Sequence, residues 1–207
     1  MKAAAFFDYG SAEVLRYTDV SDPVMGPEDV LVRVRACGVN HSDIDSRDGT
    51  SRWRFELPWV LGAEFAGTVI DVGAEVTSVA VGTLVTALQQ YGCGRCTRCA
   101  RWRPDLCERL QIFGTTRWGG YGELVSVPAR VVLPLQAGDD PLAVGGGQCI
   151  VSTAWHMVNR LAVIRPGDLV LVPSASGGVA GSLVQCAKQV GADSRRDDWS
   201  TRKSGIR

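Results

Sequence analysis

Four of the seven cysteines stand together in "GCGRCTRCARWRPDLC", at Cys93, Cys96, Cys99 and Cys107. A Cys-x-x-Cys pair lets two thiolates converge on one ion from a tight turn, and Gly92 and Gly94 supply that turn. Cys99 continues the wrap, and Cys107 returns after an excursion containing Pro104. Four thiolates close a tetrahedral zinc site with no open position, so a structural Zn2+ is expected here. Zn(Cys)4 is anionic, and Arg95, Arg98, Arg101 and Arg103 would offset its charge. An iron–sulfur cluster can share the opening triplet, but its fourth cysteine then follows after three residues and precedes a proline. Here seven residues intervene and Glu108 follows. Four unrelated buried thiols explain the density poorly.

A second stretch with chemical content is "RPGDLVLVPSASGGVAGSLVQCAKQVGAD". It reads as a turn, an apolar strand over Leu169 to Val172, a Gly-containing turn and a helix. That order suits the first βα unit of a dinucleotide-binding fold, where backbone comes close to a pyrophosphate seated on a helix N-terminus. Ser176, Gly177, Gly178 and Val179 are the candidate cofactor-binding residues, with Gly177, Gly178 and Gly181 the flexible positions. A strict G-x-G-x-x-G is absent, because Ser174, Ala175 and Ser176 precede the glycine pair. The placement between strand and helix gives the motif its meaning.

These groups need a scaffold. "KAAAFF", "EVLRYTDV" and "DVLVRVRAC" are short, β-rich and separated by Gly, Pro and Asp. Val30, Val32 and Val34 alternate with Leu31, Arg33 and Arg35, the pattern of a half-buried strand. "GTVIDVG", "VGTLVTAL" and "GGYGELVSVPARVVLPL" continue the series, which suggests a barrel-like β domain to about residue 135. "STAWHMVNRLAVI" then changes period: Trp155, Val158, Asn159 and Leu161 fall at helical offsets, with Ser152 or Thr153 as the expected cap. His156 is expected to be structural on this helix, and Cys186 a core residue.

Bulk properties narrow the classes further. Lys+Arg and Asp+Glu both number 22 in 207 residues, so no net basic charge points to a nucleic-acid partner. No run is long enough to span a bilayer, so no membrane partner is expected. The opening "MKAAAFFDYGSAEVL" lacks a signal-peptide core, and the expected location is cytoplasmic, where clustered cysteines favour metal over disulfides.

The pieces "ACGVNHSDIDSRDG", "LGAEFAG", the four-cysteine lobe, "GGYGELVSVPA", "CIVSTAW" and the βα unit occur in one order over roughly residues 1–192. In this the chain resembles the medium-chain dehydrogenase/reductase superfamily, which holds zinc alcohol dehydrogenases and quinone oxidoreductases. The resemblance implies a mostly β GroES-like barrel over 1–145, with its structural zinc lobe at 93–107. The start of an α/β Rossmann domain would follow over 146–192. NAD(P)H would be the cofactor, and the active site would lie in the cleft. In zinc alcohol dehydrogenases a cysteine follows the "GV" dipeptide and a histidine follows the glycine of "GHE". Those positions hold Asn40 and Ala63 here. Cys149 matches the third zinc ligand and Glu64 the neighbouring acid. One thiolate cannot build a three-ligand catalytic site, and His41 is one residue out of place. The "GVN" wording resembles the quinone oxidoreductase branch, which lacks catalytic zinc.

The implied reaction is hydride transfer to a carbonyl, enone or quinone without catalytic zinc. Asn40, Ser42, Asp43 and Cys149 are its candidate residues. Each also has a plainer role. Asn40 suits a turn, Asp43 a helix cap and Cys149 a buried small hydrophobe. After "QVGAD" comes "SRRDDWSTRKSGIR", with no apolar run for a second Rossmann strand. Residues 193–207 are therefore expected to form an aberrant or disordered polar tail, as a premature stop, frameshift or truncated gene model would leave. The family homodimer interface, made at the Rossmann sheet edge, is then expected to be missing. The alternative to a working reductase is a non-catalytic remnant with a zinc-stabilised barrel.

Overall fold

A computed structural model describes residues 1–174 and 176–197. The chain divides into two compact units, the first ending at Gly146 and the second starting at Gly147. The first unit contains ten strands: β1 (Lys2–Phe6), β2 (Leu15–Asp19), β3 (Asp29–Cys37), β4 (Trp59–Val60), β5 (Phe65–Val72), β6 (Leu84–Ala87), β7 (Gln90–Tyr91), β8 (Gln111–Ile112), β9 (Leu124–Pro128) and β10 (Val132–Pro134). Three short helices join them: α1 (His41–Asp48), α2 (Thr97–Ala100) and α3 (Pro141–Gly145).

Five strands form the main antiparallel sheet in the order β10-β6-β5-β3-β9. β2-β1-β4 and β7-β8 form two smaller sheets. The alternation read in "DVLVRVR" sets the face of β3: Val30 and Val32 are fully buried, while Arg33 and Arg35 are exposed. A strand has a period of two, so one face supplies the core and the other meets water. Val30, Val32, Val69, Val85, Val125 and Val127 pack with Phe65, Tyr91 and Phe113. The Phe65 and Phe113 rings meet edge-on at 5.2 Å, a favoured aromatic geometry. Each such side chain contributes about 1.5–3 kcal/mol by leaving water. β3 runs on past this core to Cys37, opposite Phe65 on β5. The chain leaving β3 is thereby held beside the residues that enter β5.

The second unit is a helical hairpin with a small sheet. α4 (Gln148–His156) runs into a π-helical turn over Met157–Leu161. β11 (Leu169–Pro173) leads to α5 (Gly178–Gln189) and then β12 (Asp193–Asp197). Ala154, Val158 and Cys186 form its buried cluster. α4 starts earlier than the expected Ser152 or Thr153 cap, with Gly147 preceding its first turn. Ser152 lies inside the helix, and its hydroxyl donates to the Cys149 carbonyl at 3.1 Å. Serine can bond back to its own helix as readily as it caps one.

The largest departure from expectation is β12. A one-strand sheet followed by a tail is replaced, over Asp193–Asp197, by a strand parallel to β11, running from Leu169↔Asp193 to Pro173↔Asp197. The ladder needs only backbone N–H and C=O, and α5 supplies the crossover that a parallel pair requires. A strand without apolar residues carries no periodic signal. The remainder of the expected tail, residues 198–207, lies outside the described residues. Among the described residues no helix is long and apolar enough to cross a membrane.

Candidate functional site

The four cysteines converge. Their sulfur atoms all lie within 4.8 Å of one another. Cys96 precedes the first turn of α2 and Cys99 lies within it, while Cys107 follows a 3-10 turn begun by Pro104. The Cys93 and Arg109 N–H groups each donate to the Cys107 sulfur at 3.3 Å. The Arg109 guanidinium lies 3.6 Å from the Cys93 sulfur. A side chain on Gly92 would meet the Cys99 sulfur at 2.6 Å, so only glycine leaves room for the cluster.

Backbone N–H groups, that of Arg95 foremost, bring the Cys93 thiol down to about 6. Those of Cys99 and Arg98 lower Cys96. Burial and the neighbouring sulfurs push Cys99 up to about 11. Four thiols this close cannot all ionise unless a cation sits among them. A divalent ion with a preference for sulfur and tetrahedral coordination fits the donor set.

The candidate catalytic residues of the first unit surround the N-terminus of α1. Asn40 occupies the cap position, and Asp43, the third residue of the helix, completes a capping box with it. Its carboxylate accepts the Asn40 N–H at 2.9 Å and the Gly62 N–H at 3.2 Å. The Tyr121 hydroxyl donates to it at 3.3 Å. Asp43 is buried, and burial raises its carboxyl above the ordinary range against the pull of these donors.

From the opposite segment, buried Glu64 accepts the Asn40 amide N–H at 2.8 Å. A side chain on Gly38 would collide with the Glu64 carboxylate, and Gly62 holds φ +100°, a backbone that glycine adopts without strain. Cys37 lies beneath this network, its thiol pushed well up by burial, with Asp43 and Glu64 adding to the shift.

Ser42 is exposed on the first turn of α1. His41 points into solvent and pairs with Asp45 at 3.5 Å, away from any ligand role. Ala63 is buried and offers no donor. A zinc held by the residues at 40 and 63 does not fit this pair of side chains. Sequence reasoning passed over Tyr121 and Cys37, although both lie in the quoted stretches "GGYGELVSVPA" and "ACGVN". Nothing in their spacing shows that they meet.

In the second unit, Cys149 is half-buried in the first turn of α4. At the β11–α5 turn, Ser174 adopts φ +56° and its carbonyl accepts the Gly177 N–H at 2.9 Å. Ser176 is exposed in this turn. Gly177 precedes α5, so the first-turn N–H groups from Gly178 and Val179 onward have no partner inside the helix. A side chain on Gly178 would press on Ile150 at 3.1 Å, so this glycine serves helix–helix approach. The sequence grouped it with the cofactor residues. The turn and helix start fit a pyrophosphate as far as backbone donors go.

Comparison with known proteins identifies the family and the fold. The family model "Alcohol dehydrogenase GroES-like domain" matches residues 26–137. An alcohol dehydrogenase of Geobacillus stearothermophilus is 31% identical over 207 residues, covering 100% of this chain and 60% of that protein. A solved NAD-dependent alcohol dehydrogenase superposes with a TM-score of 0.90 at 37% identity, over 95% of this chain and 57% of that one. A quinone oxidoreductase of Pseudomonas syringae pv. Tomato DC3000 gives a TM-score of 0.78 at 29% identity, over 98% and 54%. The chain spans about half to three-fifths of the length of these relatives.

Proposed function

The chain belongs to the alcohol dehydrogenase GroES-like family of medium-chain dehydrogenases, and from that premise we propose that it is an NAD(P)H-dependent oxidoreductase working without catalytic zinc. The observation that carries the reading is the Asn40–Glu64 hydrogen bond, formed where the resemblance expects metal ligands. The substrates we assign are carbonyls, enones or quinones, which accept hydride without Lewis-acid help. When bound, the nicotinamide supplies the hydride.

The chain's own residues then do three things. The first-turn N–H groups of α5 receive the pyrophosphate, through Ser176, Gly177, Gly178 and Val179. The Asn40 amide has two N–H groups, and Glu64 takes one. The second donates to the substrate oxygen as negative charge develops there. Asp43 holds the start of α1 against Gly62, and Ser42 offers a hydroxyl beside it. Cys93, Cys96, Cys99 and Cys107 hold a structural zinc that braces the lobe and takes no part in the reaction. Cytoplasmic placement accords with a cysteine cluster that suits a metal ion better than disulfides.

Steady-state oxidation of NADH and NADPH by the 207-residue chain, with a benzoquinone or an enone as acceptor, tests the reading. Turnover with either cofactor is expected. Failure with both, together with no micromolar nucleotide binding by calorimetry, favours the second reading, a zinc-braced barrel without catalysis. The observation on that side is the exposure of Leu169 and Leu171 on β11, at 62% and 66%.

A further inference from the structure

We propose that Glu64 is a positioning residue, which fixes the Asn40 side-chain amide so that its second N–H is presented as a hydrogen-bond donor. This rests on the reading of Asn40 given above and adds the group that aims it. The Glu64 Oε1 accepts the Nδ2–H of Asn40 at 2.8 Å, so the nitrogen end of the amide faces the carboxylate. Glu64 therefore decides which end of the Asn40 amide faces it, and the amide cannot flip without losing the bond.

Three features make the pair a built device. Glu64 is 2% exposed, so its carboxylate is held by protein and not by bulk water. Gly38 has no side chain to occupy the space the carboxylate needs. The second tie runs the other way: Asp43, from the Asn40 segment, accepts the Gly62 N–H from the Glu64 segment. Two carboxylates thus clasp residues 40–43 to residues 62–64 in opposite directions. The Gly38 N–H adds a backbone bond to the Glu64 carbonyl at 3.2 Å. A donor that must meet a developing oxyanion is effective when its direction is set beforehand.

The test combines a spectroscopic and a kinetic readout on the full 207-residue chain. In 15N-labelled protein, the Asn40 side-chain amide is assigned by its disappearance in N40A. One of its two protons is expected to be shifted downfield and protected from exchange. Glu64→Gln keeps an acceptor of the same shape and should keep that protection. Glu64→Ala should abolish it. For quinone or enone reduction, E64A should lower kcat by on the order of 10- to 100-fold, the cost of a misaimed group, with KM little changed. E64Q should recover most of that loss.

Free exchange of both Asn40 protons in the wild-type chain overturns the proposal. So does an E64A variant that loses the protection yet keeps its kcat. An inactive wild-type chain whose Asn40 proton is protected, and released in E64A, upholds the clasp and removes only the reaction assigned to it. If E64A does not fold, the E64Q exchange and kcat data decide alone. Loss of both in a folded E64Q chain, judged by unchanged zinc content, also counts against the geometry.

Discussion

The cysteine lobe and the Asn40–Glu64 clasp solve the same problem with different bonds. Each ties short segments of the chain to one another. The lobe does it with four sulfurs drawn within 4.8 Å, a donor set complete for a soft divalent ion. The clasp does it with two buried carboxylates that accept N–H groups from the facing segment. A metal site loses its ligands all at once when the ion leaves, whereas a hydrogen-bonded clasp gives way one bond at a time. The difference places the metal where rigidity is needed and leaves the proposed reaction to hydrogen-bond donors.

The sharpest way to break that contrast is to strip the lobe. Chelating the zinc, or replacing Cys96 and Cys107 by serine, should unfold residues 93–107 and lower Tm by on the order of 10 °C, since structural zinc contributes folding energy directly. Calorimetry alongside metal analysis reads this. A Tm unmoved by complete loss of zinc would show that the lobe is not braced by the ion.

The clasp should break less dramatically. Gly38→Ala puts a methyl group into the Glu64 carboxylate, and overpacking of this kind costs about 1–3 kcal/mol. A Tm lower by about 5 °C is expected, with the zinc content of the lobe intact.

Asp43 gives the pH signature. Its carboxyl is raised in the folded chain by burial. Between the ordinary value, about 4, and the raised one, the folded state holds more proton than the unfolded state. Stability from this group is therefore full below the ordinary value and is lost as pH rises through the folded one. Urea unfolding at a series of pH values should show that slope in the wild type and lack it in D43N. An unchanged slope in D43N would assign it to another group.

The smallest effect is expected at His41. Its pairing with Asp45 is exposed, so His41→Ala should change stability by less than about 0.5 kcal/mol and leave zinc content unchanged. A loss of metal on this substitution would make His41 a ligand, against its placement in solvent.

The two sites also differ in how far sequence alone reveals them. The lobe was legible because its ligands are local: fifteen positions, from Cys93 to Cys107, contain every donor. β3 was legible for a similar reason, since alternation along one strand fixes its faces. The clasp was only half legible. The resemblance singled out Asn40, Asp43 and Glu64 from their motifs. That Glu64 bonds Asn40, and that Tyr121 reaches Asp43 across 78 residues, depends on how β3 and β5 pair. β12 was hidden because a parallel ladder can form from backbone alone, and the packing role of Gly178 was hidden because its neighbour Ile150 lies on another helix.

Zinc stoichiometry tests the central claim most directly. Native mass spectrometry of the purified 207-residue chain should show one zinc per chain. That zinc should survive substitution of Asn40 or Glu64 by alanine and disappear when Cys96 and Cys107 become serine. Two zinc ions per chain, or a zinc that persists without those cysteines, would place metal at the proposed reaction centre and contradict the account.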